Sequence, residues 1–174
     1  MDDRASASFA EFVHARWAPM VRTAYLITGD MGIAEDCTQD ALANVHRHWR
    51  RLDGAGNPEA YARRAVINGA LSWRRLRRWR ELPLVAAGDP VAPDDPAARL
   101  DPELAEALRA LPPRMRAVVV LRYVEGLTEA ETAAALSCEL GTVKSTAHRG
   151  LAKLRLSLLA EPAAKPQPEE RTSR

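Results

Sequence analysis

A proline- and aspartate-rich stretch in the middle of the chain limits its folding more than any other feature. Between Pro83 and Pro102 stand five prolines, at 83, 90, 93, 96 and 102, together with Asp89, Asp94, Asp95 and Asp101. Such a segment cannot bury enough apolar surface to offset its ordering entropy, so residues 83–100 read as a linker. The 174 residues then divide into two very small units, expected over 8–82 and 101–160, with disordered ends at 1–7 and 161–174. Aromatic residues are only 5 % and Ala and Leu dominate, which favours helices over sheets. The fold class is therefore all-α, two helical domains on a flexible hinge.

In the first unit, Ser8 and Glu11 read as a capping box opening a helix. Its apolar face is Phe9, Phe12, Val13, Trp17, Met20, Val21, Ala24 and Tyr25, a period near 3.6. Pro19 is expected to kink or split it, because proline removes a donor and crowds the preceding turn. Gly29-Asp30 ends the element. A second helix is expected from Ile33 to Arg50, with Ile33, Cys37, Ala41, Val45 and Trp49 at four-residue spacing. Asp53 to Pro58 reads as a loop, and a third helix as running from Pro58 to Arg80.

The second unit opens with Asp101 as N-cap and Pro102 at the first helical position. A helix after Pro112-Pro113 stops near Gly126. Thr128 and Glu131 form a capping box ahead of Ala133–Leu136, and a last helix runs from Glu139 to Leu159. A capped helix, a tight turn at Ser137-Cys138 and a long final helix have the layout of a helix-turn-helix. On that final helix Leu140, Val143, Ala147, Leu151, Leu154 and Leu158 share one side. Thr142, Ser145 and Arg149 project from the other, flanked by Lys144 and His148. These are hydrogen-bond donors at the end of a recognition helix that meets base edges.

Net charge is only +2, but charge is segregated along the chain. Arg74, Arg75, Arg77, Arg78 and Arg80 are interleaved with Trp73 and Trp79. Arginines bind phosphates and indoles stack on unpaired bases, while the alternative is a core helix fringed by cations. Glu35, Asp36, Gln39 and Asp40 lie on the side of the second helix away from its apolar stripe. That side is either a solvated face or a docking patch for a basic partner.

Enzymatic chemistry finds no footing. No nucleophile–base pair, metal cluster or Gly-rich phosphate loop stands out, and the four histidines are scattered. No catalytic residue, metal site or cofactor is expected. Cys37 and Cys138 give neither metal spacing nor a disulfide framework. The N-terminus MDDRASAS has no apolar signal region, and no apolar run is long enough to span a membrane, so a cytoplasmic location without membrane insertion is expected.

Three segments carry a family resemblance. GIAEDCTQDALANVHRHWRRL (32–52) resembles the core-polymerase-binding helix of bacterial sigma factors. NPEAYARRAVINGALSWRRLRRWREL (57–82) looks like their helix that melts and reads the −10 element. LPPRMRAVVVLRYVEGLTEAETAAAL with GTVKSTAHRGLAKLR is similar to the helix-turn-helix that reads the −35 element. The match spans Phe9 to Leu159, and the two-domain layout resembles the extracytoplasmic-function (ECF) type, in an actinobacterial SigE-like subgroup.

The resemblance implies a sigma-2-like domain, a sigma-4-like domain and a transcription initiation factor that binds core RNA polymerase. Asp36, Gln39 and Asp40 match positions that meet the β′ clamp helices, and the β subunit is a second polymerase contact. Asn68 and the Asp53–Pro58 loop match elements that capture a flipped −10 base. Ser72, Trp73, Arg74, Arg75, Arg77 and Arg78 fall in the −10 DNA-binding stretch. Thr142, Lys144, Ser145, His148 and Arg149 fall on the helix facing −35 DNA. Promoter DNA is an implied partner, and an anti-sigma factor is a further one the family allows. The rival is a helix-turn-helix regulator that binds operators alone, which explains only the C-terminal half. An RNA-binding helical protein explains the arginines but not the acidic helix.

Three residues depart from the family pattern: Ser72 where Asp is frequent, Ser137 for the turn Gly, and Glu139 for the Ser that starts the recognition helix. Because Ser is a good N-cap and Glu a poor one, Ser137 is expected to cap a helix beginning at Cys138. Glu139 would then sit in the first turn.

Overall fold

The computed structural model describes residues 3–80 and 101–159, without the side chains of 3, 55 and 74–80. The expected linker at 83–100 and the tail at 161–174 lie outside the described residues. The described residues form helices joined by short turns and contain no strand. The N-terminal half comprises α1 (Asp3–Thr28), α2 (Met31–Arg47), α3 (Trp49–Ala55) and α4 (Pro58–Arg80). The C-terminal half comprises α5 (Pro102–Ala110), α6 (Pro113–Val119) continued by a π-helical turn (Val120–Val124), α7 (Glu129–Leu136) and α8 (Leu140–Leu159).

Helix α1 begins at Asp3, so residues 3–7 are helical and Ser8 lies inside the helix rather than capping it. The Ser8 hydroxyl instead accepts a hydrogen bond from Trp49 Nε1 at 3.0 Å and donates to Asp53 Oδ2 at 3.2 Å. It thereby supplies the partner that a buried indole N–H requires. Pro19 does not split the helix, which runs unbroken across it. Met20, Val21 and Ala24 just beyond it are buried in the N-terminal core, and that packing carries α1 past the lost backbone bond.

The turn from α1 to α2 is set by Gly29, whose φ of +76° suits glycine, and by Asp30. The Asp30 carboxylate accepts from Ile33 N at 3.1 Å and starts α2 at Met31, two residues ahead of expectation. Helix α2 ends at Arg47. His48 forms the break, and α3 takes in Asp53, Gly54 and Ala55, the first half of the segment read as a loop, so Asp53 sits on a helix. Only Gly56-Asn57 separates α3 from α4, and Asn57 Oδ1 caps α4 by accepting from Ala60 N at 2.9 Å. Val45, Trp49, Leu52, Ala62 and Val66 close a core against Met20, Val21 and Ala24, with Phe9 edge-on to Trp49 at 5.2 Å.

In the C-terminal half, Asp101 caps α5 through Glu103 N at 2.8 Å, with Pro102 opening the helix. The Thr128–Glu131 capping box forms reciprocally: Glu131 N donates to Thr128 Oγ1 at 3.2 Å and Thr128 N to Glu131 Oε2 at 2.8 Å. Leu108, Leu111, Val119 and Leu154 make one core cluster and Val118, Ala133, Val143 and Ala147 another. Helix α8 crosses α6 at Gly150, where a Cβ would lie 2.6 Å from Val119 Cγ2.

The halves are not separate in space. Ile27, Cys37, Ile67 and Ala70 from the first pack with Ala117, Leu121, Leu127 and Ala135 from the second in one buried cluster. Sequence reasoning, which expected a hinge, gave no sign of this seam.

Candidate nucleic-acid and partner interfaces

Helix α8 is the clearest surface. Its first turn fixes a register that differs from expectation. Ser137 is not an N-cap: it terminates α7 in the left-handed region, φ +50° and ψ +53°. The carbonyl of Glu139 accepts from Thr142 N at 3.0 Å and Val143 N at 3.2 Å, which makes Glu139 the N-cap of α8. A residue was needed in the left-handed conformation to turn the chain between the two helices, and Ser137 occupies it where glycine is the usual choice. Preference for a polar cap yielded to the geometry of the turn.

Beyond that turn Val143, Thr146, Ala147, Gly150 and Leu154 are buried, whereas Thr142, Lys144, Ser145, His148 and Arg149 are all exposed. Leu140, Leu151 and Leu158, expected on the packed side, are 43 %, 40 % and 45 % exposed. The buried stripe is narrower than the apolar pattern, since it is set by close approach at Gly150. Arg149 Nε donates to the Ser145 carbonyl at 3.2 Å, laying the guanidinium back along the helix. Lys144 Nζ is 3.6 Å from Glu129 Oε2. From Leu140 to Leu159 α8 carries Lys144, His148, Arg149, Lys153 and Arg155 and no acidic residue. An acid-free exposed face of donors can lie against phosphates and base edges without repulsion from its own helix.

Helix α4 carries the second set. Asn68 is exposed, and Ser72 and Trp73 are half-buried. Ile67 and Ala70, beside Asn68 in sequence, are buried in the seam between the halves. The side chains of Arg74, Arg75, Arg77 and Arg78 lie outside the described residues, although the backbone there continues α4. Near the start of α4, Glu59 is held between Arg16 and Arg63, each at 2.7 Å.

Helix α2 carries the third. Glu35, Asp36, Gln39 and Asp40 are exposed together, over a buried stripe of Ala34, Cys37, Thr38 and Ala41. No ion pair among the described residues engages those carboxylates. Burial pushes the Cys37 thiol above its ordinary value, and the carboxylates of Asp40 and then Asp36 add to the effect. Among the described residues no cluster of His, Cys, Asp or Glu could hold a metal ion, and no helix is long and apolar enough to cross a membrane.

Comparison with known proteins decides what these surfaces belong to. The family model for Sigma-70 region 2 matches residues 14–80 and that for Sigma-70, region 4 matches residues 102–154. The RNA polymerase sigma-E factor of Streptomyces coelicolor is 39 % identical over 155 residues, covering 87 % of this chain and 86 % of that one. The chain is a sigma factor of the ECF type. Within that family it resembles an actinobacterial group: the ECF RNA polymerase sigma factor SigE of Mycolicibacterium smegmatis is 36 % identical over 162 residues, 88 % of this chain and 63 % of that one. Its fold is that of the sigma factor RpoE from Bartonella quintana, solved in complex with the anti-sigma factor NepR. The TM-score is 0.72 at 22 % identity, over 89 % of this chain and 99 % of that one. CnrH, solved with the cytosolic domain of CnrY, gives 0.66 at 22 % identity, over 90 % and 91 %. As a sigma factor, the protein directs transcription from promoters. The resemblance found in the sequence motifs is borne out.

The exposed sets on α2 and α8 were legible because each is a run of like chemistry on a helical face. Thr23, which donates to Glu125 Oε1 at 2.9 Å, Arg64, which donates to Ser137 Oγ at 2.8 Å, and Arg116, which donates to the Ile27 carbonyl at 3.1 Å, tie the halves of this sigma factor together and were missed. They stand alone in sequence and acquire a role only when distant helices meet.

Proposed function

We propose that this sigma factor docks on core RNA polymerase through the exposed acidic face of α2, with Asp36, Gln39 and Asp40 against the β′ clamp helices and a further contact to the β subunit. Asn68, Ser72, Trp73 and the arginines 74, 75, 77 and 78 then engage the −10 element. Thr142, Lys144, Ser145, His148 and Arg149 engage the −35 element. The functional units are residues 8–82 and 101–160, joined by 83–100. The work is binding rather than covalent catalysis: opening the duplex costs unpairing energy, offset in part by holding an extruded base. Such a factor acts in the cytoplasm, and an anti-sigma protein is a partner of the kind its structural neighbours bind.

One observation carries this reading: the acidic set and the acid-free donor set occupy separate exposed helices, α2 and α8, of one chain. A stand-alone operator-binding regulator has no use for the first. Run-off transcription with purified core polymerase tests it. Asp36→Arg with Asp40→Arg reverses the steering charge, and is expected to abolish both co-purification with polymerase and transcript while leaving helicity unchanged. Undiminished binding by that variant removes these two residues from the docking site.

A further inference from the structure

Helix α8 carries Lys144, His148, Arg149, Lys153 and Arg155, and among the described residues Lys144 alone of these is paired with a carboxylate. Its Nζ lies 3.6 Å from Glu129 Oε2. The crossing of the helix-turn-helix brings the two together. Glu129 opens α7 one turn ahead of Ala133, and Ala133 packs against Val143 and Ala147 of α8. Residues four apart share a helical face, so Glu129 stands on the side of α7 that meets α8, beside the residue that follows Val143.

The neighbouring acids are placed differently. The Glu131 carboxylate is engaged by the Thr128 backbone N–H at 2.8 Å and the Thr128 hydroxyl at 2.7 Å. Glu139 serves α8 through its backbone carbonyl, and its carboxylate makes no ion pair among the described residues. The Lys144 and Glu129 side chains are 58 % and 37 % exposed, so their contact adds little to the stability of the fold. Its weight falls on what approaches α8 from outside. Each phosphate that a cation neutralises sheds a condensed counter-ion, which adds about 0.9 to the slope of log affinity against log salt. An ammonium that already holds a carboxylate must give that partner up to do so. The counter-ion shed by the phosphate is then offset by the one drawn to the vacated carboxylate, which itself stands close to the DNA and repels it.

We infer that Glu129 is a counter-charge that competes with promoter DNA for Lys144, holding down the sequence-independent attraction of α8. The inference rests on the −35-reading role proposed above for that helix. His148, Arg149, Lys153 and Arg155 meet no such competitor among the described residues, so the restraint acts on one cation and leaves the rest of the donor face at full strength.

The test uses holoenzyme assembled from core polymerase and the full chain carrying Glu129→Gln, Lys144→Ala or both changes. The probe is a promoter duplex that the wild-type holoenzyme selects from a random-sequence pool, and its affinity is measured across about 50–200 mM salt. Glu129→Gln is expected to tighten binding on the order of 3- to 8-fold at about 0.1 M salt and to steepen the salt slope by up to about 0.9, one phosphate contact. With Lys144→Ala already in place the same change is expected to alter affinity by less than about twofold, since only screened repulsion is left to relieve. The melting temperature of Glu129→Gln should fall slightly, because a carboxylate in the first turn of α7 favours the helix dipole. Stability and DNA affinity moving in opposite directions is a result that a merely structural glutamate cannot give. Unchanged or weaker binding by Glu129→Gln overturns the competition, and so does an equal gain with and without Lys144. Failure of the −35 role itself shows separately, as a Lys144→Ala chain whose affinity and salt slope match wild type in either background.

Discussion

Gly150→Ala sets two opposite forces against each other at one atom. In a helix interior alanine is favoured over glycine by about 1 kcal/mol, so on propensity alone the change strengthens α8. The structure puts the new methyl 2.6 Å from Val119 Cγ2 and 3.2 Å from Met115 Cγ. Carbon atoms pack at about 3.5–4.0 Å, so the α6–α8 contact must open by roughly 1 Å. Met115 can rotate away, but Val119 is β-branched, 3 % exposed and fixed on its own helix. Overpacking of this kind costs about 1–3 kcal/mol, leaving a net destabilisation of about 1 kcal/mol once propensity is subtracted. For a chain of 174 residues that is a fall of about 2–4 °C in melting temperature. Thermal unfolding followed by circular dichroism measures it. Val119→Ala in the same chain supplies the control, because the space it frees should make the pair less damaging than the sum of the single changes. A Gly150→Ala variant that melts above wild type would show that close approach does not explain this glycine.

Glu139→Ser places a favoured cap at the observed N-cap, where its hydroxyl can accept from Thr142 N, and a gain of about 0.5–1 kcal/mol in thermal stability is expected. No gain would place the start of α8 elsewhere. Thr128→Ala removes the capping box at a cost of about 0.5–2 kcal/mol, read from urea unfolding. Hydrogen bonds from the Thr128 backbone and then its hydroxyl hold the Glu131 carboxyl below the usual range. Its contribution is therefore present above the unfolded value of about 4.3 and lost as pH falls through the lower folded value, and Thr128→Ala should flatten that dependence. Arg149→Ala is expected to cost about 1–3 kcal/mol at a single −35 base pair, whereas Arg78→Ala should weaken all promoters alike and reduce the salt slope. Equal losses across −35 variants would strike Arg149 from the base-reading set. Cys37, buried and with its thiol raised, should resist alkylation near neutral pH while partly exposed Cys138 reacts. Equal labelling rates would refute the packing around α2.

Signals confined to one helix turn were readable from the sequence. The Asp101–Pro102 start and the Thr128–Glu131 box depend on residues within three positions of each other, and both form as expected. Ser8 and Glu11 show the same spelling without the structure. Their surroundings continue the helix upstream, and the Ser8 hydroxyl serves Trp49, 41 positions away. Pro19 and Ser137 mislead for a related reason. At Pro19 burial of the following turn outweighs the lost backbone bond, and at Ser137 the need for a left-handed residue outweighs capping preference. The surface sets on α2 and α8 were visible because exposure follows from helical period, and Asn68 is exposed as well. The narrowness of the buried stripe on α8 was not, because it depends on how near α6 approaches at Gly150.

Arg116, buried on α6, donates to backbone carbonyls at Ile27, Leu111 and Arg109. A carbonyl has no proton to gain or lose near neutrality, and a site with 1 % exposure lies beyond the reach of most counter-ions. The hold on the end of α1 is consequently indifferent to acidification and to moderate changes of ionic strength, unlike a surface carboxylate–arginine pair. Breaking it requires moving the end of α1 away from α6.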